Sequence, residues 1–346
     1  MPPKPTTAIL AAAQPWSAKT RAFRRLKKDP AKVTEHFQKY NLGSITYDET
    51  YSRNYGLEYL DYLTREVRRI AGRKPDLLLL PEFCLTPAVI GDPMPGIARN
   101  PNVQADAVKL YTWSGNLFVD WLCETSKSTG VMLGASCFLV RRGNIFNTGL
   151  LADDQGQIVL RYEKVHLPAD ELESVTPGSQ YTVADTKLGR IGFSICYDVQ
   201  FPEHHAALAQ QGAQIVLHPS AGYILPDEKP GMGQYRLRVR ASDRYAALVY
   251  SCFAPESDWN PRESAVIGPS GDVLDCVRGK KSGVAIAPVN LPTKRAWPGD
   301  QPDAPDREKI RRSLRRPDTY RLLLNQDKTA LNPKDAKNTK KKVKVK

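Results

Sequence analysis

Three polar residues stand where apolar, strand-like runs of the chain stop, and their types fit one reaction. Glu82 follows LLLL at 77–80 and Pro81, Lys164 continues the alternating face Ile158, Leu160, Tyr162, and Cys196 ends the run Ile191 to Ile195. A free thiol, with a pKa of about 8.5, is only partly ionised near neutral pH, so a nucleophilic cysteine gains from a nearby base. A carboxylate held in an apolar pocket has its pKa raised and can serve as that base. An ammonium beside the attacked carbonyl stabilises the tetrahedral oxyanion, where loss of one donor costs roughly 3–4 kcal/mol. Base, oxyanion clamp and nucleophile together describe acyl transfer. Each residue also has a plainer reading. Cysteine is often a small buried hydrophobe, the reading given to Cys84, Cys123, Cys137, Cys252 and Cys276. A glutamate after proline can cap a loop, and a strand-end lysine can reach out to water. Convergence of the three in one pocket separates the readings.

The surrounding elements must bring them there. Arg190 to Gly222 reads as strand, turn, helix, strand: an apolar run to Ile195, Pro202 at a helix start, a helix Glu203 to Gln211 stopped by Gly212, then a second apolar run Gln214 to Leu217. That order favours a parallel sheet, whose ligands collect beyond the carboxyl ends of the strands, where Cys196 stands. Pro81 cannot donate to a sheet ladder and pushes Glu82 off its strand end. Lys164 shares the inward face of a strand because side chains alternate. Elsewhere, Thr7 to Trp16 reads as a first buried strand, since it lacks the basic flank of a signal segment. Leu57, Leu60, Leu63, Val67 and Ile70 recur at helical spacing up to Gly72, and a second helix covers Asp106 to Ser126. A strand at 131–140, a hairpin turning at Asp153–Gly156, a helix Tyr235 to Tyr245 and three further strands up to Leu291 complete the pattern. Residues 17–53 read as irregular, and no repeat is present. Two strand-rich halves flanked by helices predict an α/β fold of two sheets packed face to face.

The 346 residues carry a net charge of +13, with 41% hydrophobic and 25% charged residues. Lys19–Lys32 and Asn332–Lys346 each hold seven Lys or Arg against one Asp, so two peripheral segments carry nearly all of the excess. The second is almost without apolar residues and reads as a disordered tail, for which contact with nucleic acid is possible but not expected. The six cysteines never form CxxC, which argues against structural zinc and a disulfide framework, and reads as reduced thiols in a cytoplasmic protein. His204 and His205, at a predicted helix start, lack neighbours at metal spacing, so no metal is assigned. No apolar stretch reaches bilayer-spanning length, and no membrane partner is expected. The chain divides into a catalytic domain at 1–300, with the basic insertion 17–53, and an extension at 301–346, lysine-rich from about 332.

PEF at 81–83, RYEKVHLP at 161–168 and GFSICYDVQFPE at 192–203 resemble, in order and separation, the three signature blocks of the nitrilase, or carbon–nitrogen hydrolase, superfamily. The resemblance runs from the first strand to about residue 290. It implies a four-layer α–β–β–α sandwich of the nitrilase type, a Glu82–Lys164–Cys196 triad, no metal or organic cofactor, and a homodimer or larger assembly. Family members also carry a second glutamate shortly before a Pro-Gly, and Glu173 in ESVTPG matches that position better than Glu171. The long 17–53 segment and the lysine tail depart from the family pattern.

By that resemblance, the backbone N–H of Tyr197 joins Lys164 in holding the oxyanion, and Glu173 orients Lys164 or the substrate nitrogen. Tyr197-Asp198, where true nitrilases tend to place Trp-Glu, is similar to the amidase, omega-amidase and N-carbamoyl-amide hydrolase branches. The leading expectation is hydrolysis of a small amide or N-carbamoyl compound through a Cys196 thioester, with release of ammonia or an amine. Nitrile hydrolysis is the runner-up. The loop 221–233 and the helix bearing Arg238 and Arg240 are expected to shape the substrate end. Arginine there would clamp a carboxylate, whereas Asp227 and Glu228 would meet an amine, and these options point in opposite directions. His166, two residues after Lys164, is a substrate-contact candidate, and a rival scheme makes it the base of a Cys–His hydrolase.

A reading from another class is a non-catalytic binding protein that uses the basic segments. Deletion of residues 332–346 separates the two. An enzyme keeps its turnover, measured as product release, while a tail-driven binder loses its salt-sensitive association.

Overall fold

The computed structural model describes residues 6–17, 21, 25–26, 29–40, 42, 44, 46–84, 102–168, 171–172, 174–221, 232–254, 263–278, 281–291, 310, 313–316 and 319. One sheet contains β1 (Thr6–Gln14), β2 (Leu77–Leu79), β3 (Met132–Arg141), β4 (Asn144–Ala152), β5 (Ile158–Glu163) and β12 (Gly283–Leu291), in the order β12-β1-β2-β3-β4-β5. The other contains β6 (Val183–Thr186), β7 (Gly189–Phe193), β8 (Ile215–Pro219), β9 (Ala247–Ser251), β10 (Ala265–Ile267) and β11 (Val273–Cys276), in the order β11-β10-β9-β8-β7-β6. In each sheet three central strands are parallel, β1-β2-β3 and β7-β8-β9, and the outer pairings are antiparallel. β4 is antiparallel to both β3 and β5, so β5 runs in the same direction as β2 and β3. The ends of β2 and β5, where Glu82 and Lys164 follow, therefore open on one edge.

The inner faces of the two sheets make the central core. Leu10, Leu77, Leu79, Leu151, Leu160 and Tyr162 meet Ile191, Phe193, Ile215, Leu217 and Val249. Alternation sends Leu78 and Leu80 to the opposite face, where they pack with Leu63, Val67 and Ile70 of α2 (Glu49–Ala71) and Phe118 and Leu122 of α3 (Val103–Thr129). A strand covered on both faces needs the uninterrupted leucines of 77–80. On the far side, α4 (Pro202–Gln210) contributes Leu208, and α5 (Met232–Arg244) contributes Leu237 and Ala241, against the outer face of the second sheet. The layers are helix, sheet, sheet, helix, as the sequence predicts.

The helix ends follow local chemistry. The Asp48 side chain accepts from the Tyr51 N–H at the start of α2, and α3 stops at Gly130, whose φ of 67° suits a residue without Cβ. Pro202 occupies the first turn of α4, where no N–H is needed.

Two expectations change. Residues 17–53 are not irregular throughout: α1 (Pro30–Tyr40) packs on α2 through Val33 and Tyr40 against Tyr55. Its buried stripe is Val33, His36 and Tyr40, so a histidine in the middle hides the helical period. Leu57, expected on the core face of α2, is 42% exposed, and the core face uses Tyr55 and Tyr59 instead. Asp227, Glu228 and the lysine tail lie outside the described residues. No helix among the described residues is long and apolar enough to cross a membrane.

Gly178 couples the fold to the pocket. Its N–H donates to the Lys164 carbonyl at 2.8 Å, and a Cβ there would lie 2.0 Å from the Glu163 carbonyl oxygen. That obstacle is backbone and cannot swing aside. Gly178→Ala is expected to lower stability by about 1–3 kcal/mol, the usual range for overpacking, read as a lower urea midpoint at unchanged slope.

Candidate active site

Lys164 is buried at the shared strand edge. The residue is 1% exposed, and its ammonium donates to Glu82 Oε1 at 2.9 Å and to Glu171 Oε1 at 2.7 Å. Its backbone N–H donates to the Asn147 carbonyl at 2.8 Å, which continues the β4–β5 pairing one step past β5 and fixes the stem of the side chain. Glu82, wholly buried, receives two further donors: Asn147 Nδ2 on Oε1 at 2.8 Å and the Ala221 N–H on Oε2 at 2.7 Å. Asn147 Nδ2 also lies 3.4 Å from Glu171 Oε2, so one amide bridges both carboxylates. Ala221 follows β8, and the second sheet thus reaches across to hold a residue of the first.

Two carboxylates and one ammonium set the electrostatics. Burial alone would push Lys164 down, but the charges of Glu82, Cys196 and Glu171 outweigh it and hold the ammonium well above its ordinary range. Glu171 is pushed up to about 7, first by burial, with Glu82 adding to the rise and Lys164 opposing it. The pocket therefore takes up a proton near neutrality.

Cys196 opens a 3-10 turn, Cys196–Gln200, directly beyond β7, and its φ of 45° places a non-glycine residue in the left-handed region. Half-buried at the mouth of this turn, it lies within electrostatic reach of Glu82, Lys164 and Glu171. Burial, then the charge of Glu82, push its thiol up to about 12, while Lys164 and a hydrogen bond with Ser220 pull the other way. At rest Cys196 is a thiol, and a thiol that attacks needs a base.

A second buried carboxylate shapes the turn. Asp198 Oδ2 accepts from the Ile195 N–H at 2.8 Å and from the Tyr162 hydroxyl at 2.8 Å. Asp198 Oδ1 accepts from the His166 N–H at 3.1 Å and lies 2.8 Å from His166 Nδ1. His166 stacks on Phe201 with ring centres 3.8 Å apart. Its ring is thus held by Asp198 and Phe201 in supporting the turn, a packing and hydrogen-bonding place rather than that of a base engaged with the thiol.

The expected arginines are engaged elsewhere. Arg240 Nε and Nη2 donate to the Val199 carbonyl at 3.3 and 3.2 Å and brace the nucleophile turn from α5. Arg238 Nε donates to the Gly271 carbonyl at 2.9 Å, in the β10–β11 turn. Both thus bind backbone carbonyls with part of their guanidinium groups. Glu173 lies outside the described residues; among the described residues the second carboxylate on Lys164 is that of Glu171. The Glu171 and Leu172 N–H groups both donate to the Pro168 carbonyl, a tight turn that points Glu171 inward and leaves Leu172 53% exposed. Asn147 was missed altogether. Its signal was present, a polar residue inside the apolar strand run of IFNTGLLA.

With the sandwich and this edge in place, an ammonium between two carboxylates beside a strained cysteine, the comparisons give the class. The carbon-nitrogen hydrolase family model matches residues 42–299, and the chain belongs to that family. The chain is 30% identical over 215 residues to the deaminated glutathione amidase of Homo sapiens, covering 56% of this chain and 64% of that protein. It is 27% identical over 255 residues to the chloroplastic omega-amidase of Arabidopsis thaliana, covering 68% and 64%. Matches to the curated relatives span 40–65% of their length. Among solved structures, a carbon-nitrogen hydrolase from Helicobacter pylori superimposes with a TM-score of 0.66 at 18% identity, covering 92% of this chain and 99% of that one. A cysteine-to-alanine mutant of a Nesterenkonia amidase from the nitrilase superfamily gives 0.62 at 22%, covering 93% and 98%. The fold is that of the nitrilase superfamily.

The Glu171 shift predicts opposite pH effects on activity and stability. Because its folded-state pKa lies above its value of 4.5 in the open chain, its contribution to stability is present below 4.5 and is lost as pH rises through about 7. Ionised Glu171 is what pairs with Lys164, so kcat/KM is expected to rise with pH across that same interval. In Glu171→Gln the rising limb should disappear and activity stay at the acid-side level. A pH profile of kcat/KM for both proteins checks this.

Proposed function

We propose that the protein is an amidase that hydrolyses the C–N bond of a small amide or N-carbamoyl compound through a Cys196 thioester. The observation that carries this reading is the buried Glu82–Lys164–Glu171 group beside the Cys196 turn. Glu82 takes the thiol proton as Cys196 attacks the substrate carbonyl. Lys164 and the Tyr197 N–H, in the first turn of the 3-10 segment, hold the oxyanion. Glu82 then passes its proton to the departing nitrogen, and ammonia or an amine leaves. Water activated by Glu82 cleaves the thioester, releasing the acid and restoring the thiol. Glu171 and Asn147 keep Lys164 and Glu82 in register through these steps.

Amides are favoured over nitriles by the Tyr197-Asp198 pair and by the similarity to proteins named as amidases. The names of those relatives make a deaminated-glutathione-like amide and a terminal amide the first compounds to try. The acting unit is proposed to be a homodimer. Tyr235 and Val239, one turn apart on α5, are 57% and 49% exposed and supply apolar surface for such contact.

The test is an ammonia- and amine-release screen across amides, carbamoyl amino acids, carbamoyl amines and nitriles, with Cys196→Ala as the blank. Cys196→Ala is expected to lose turnover while keeping the native circular dichroism spectrum. Lys164→Ala should be the lethal change and His166→Ala the milder one. Full activity in the cysteine variant would remove the mechanism, and the reverse ranking of Lys164 and His166 would favour a Cys–His scheme.

A further inference from the structure

Beneath the nucleophile turn, His204 carries a buried nitrogen that its surroundings leave unanswered. His204 Nε2 lies 2.8 Å from the Phe193 carbonyl oxygen. A carbonyl only accepts, so Nε2 carries the proton and, in the neutral ring, Nδ1 is a bare lone pair. That Nδ1 is buried without a hydrogen-bond partner and faces Asp198 Oδ1 at 3.5 Å, one electron-rich atom toward another. Asp198 accepts the Ile195 and His166 N–H groups and the Tyr162 hydroxyl, the donors a carboxylate calls for. An unpartnered buried acceptor is costly, and here it is aimed at a carboxylate. A positive centre between them relieves both.

We propose that His166, Asp198 and His204 bind one zinc ion under the Cys196 turn. Their ligand atoms all lie within 4.8 Å of one another. In a tetrahedral zinc site with bonds of about 2.0–2.1 Å, adjacent donors stand roughly 3.3 Å apart. The 3.5 Å from His204 Nδ1 to Asp198 Oδ1 already suits that spacing, and the 2.8 Å from His166 Nδ1 must open by about half an ångström. Two imidazoles and one carboxylate, with a fourth position for water, form a zinc-type ligand set.

The surrounding bonds are those that steady metal ligands. The Phe193 carbonyl fixes the His204 tautomer, the Ile195 N–H and Tyr162 hydroxyl hold the other oxygen of Asp198, and Phe201 holds the His166 ring. His166, with 19% of its side chain exposed, is the route in from solvent. On binding, the His166 Nδ1 hydrogen bond to Asp198 gives way to the metal, and the N–H of the ring moves to Nε2. His204 needs no tautomer change.

The test uses full-length Cys196→Ala, which removes thiolate binding at the nucleophile and makes the result independent of the proposed catalysis. Titration calorimetry with zinc chloride near neutral pH should give one saturable equivalent, and cobalt(II) in its place should show the visible absorption of a tetrahedral site. Adding His204→Gln, whose amide can still donate to the Phe193 carbonyl, should weaken binding at least about tenfold, and so should adding the less buried His166→Asn. Zinc should raise the Tm of Cys196→Ala but not of either double variant, which controls for folding. Absence of one-to-one binding, or binding that survives both histidine changes, overturns the proposal.

Discussion

The buried ammonium of Lys164 between the carboxylates of Glu82 and Glu171 is the interaction on which the rest of the pocket depends. Removing ions from water costs several kcal/mol each, and losing one partner of a buried pair typically costs about 3–5 kcal/mol. Such a group persists only where neighbouring donors complete it. Asn147 and the Ala221 N–H do so for Glu82, and they come from different sheets. The pocket is therefore an inter-sheet structure. It exists because β2, β5, β7 and β8 all end at the same edge, and its ions constrain how the two sheets face each other.

The Cys196 turn depends on a second tie of the same kind. Asp198 joins Tyr162 at the end of β5 to the Ile195 N–H just beyond β7, again linking the two sheets. Between these anchors the chain turns sharply enough to put Cys196 at a φ of 45°. A left-handed residue with a side chain is strained by order 1–3 kcal/mol, and the surrounding bonds must over-determine it. Arg240 adds one more such bond by taking the Val199 carbonyl. Side chains that look like substrate ligands in a linear reading are thus spent on holding backbone in place.

Much of the architecture was legible in the chain. The leucines of 77–80, the alternation up to Lys164 and the strand–turn–helix around Cys196 are local patterns, and their structures followed. The misses have a common cause. α1 was hidden because its buried stripe uses His36 and Tyr40, whose burial is decided by the tyrosines of α2 stacking on them. His204 looked isolated because its neighbours His166 and Asp198 lie on other segments. Arg238 and Arg240 looked available because nothing in their own stretch shows that the Gly271 and Val199 carbonyls await them.

By itself the sequence determined which residues could do chemistry and which strands would carry them, since side-chain period, proline and glycine act within a few residues of where they stand. Only the tertiary structure decided which of those residues meet. It set Glu171 beside Lys164, gave Asn147 the task of joining two carboxylates, and tied both arginines to distant backbone carbonyls. The physical reason is that hydrogen bonds and charges act across a few ångströms of space. Residues tens of positions apart become neighbours only after the sheets have packed.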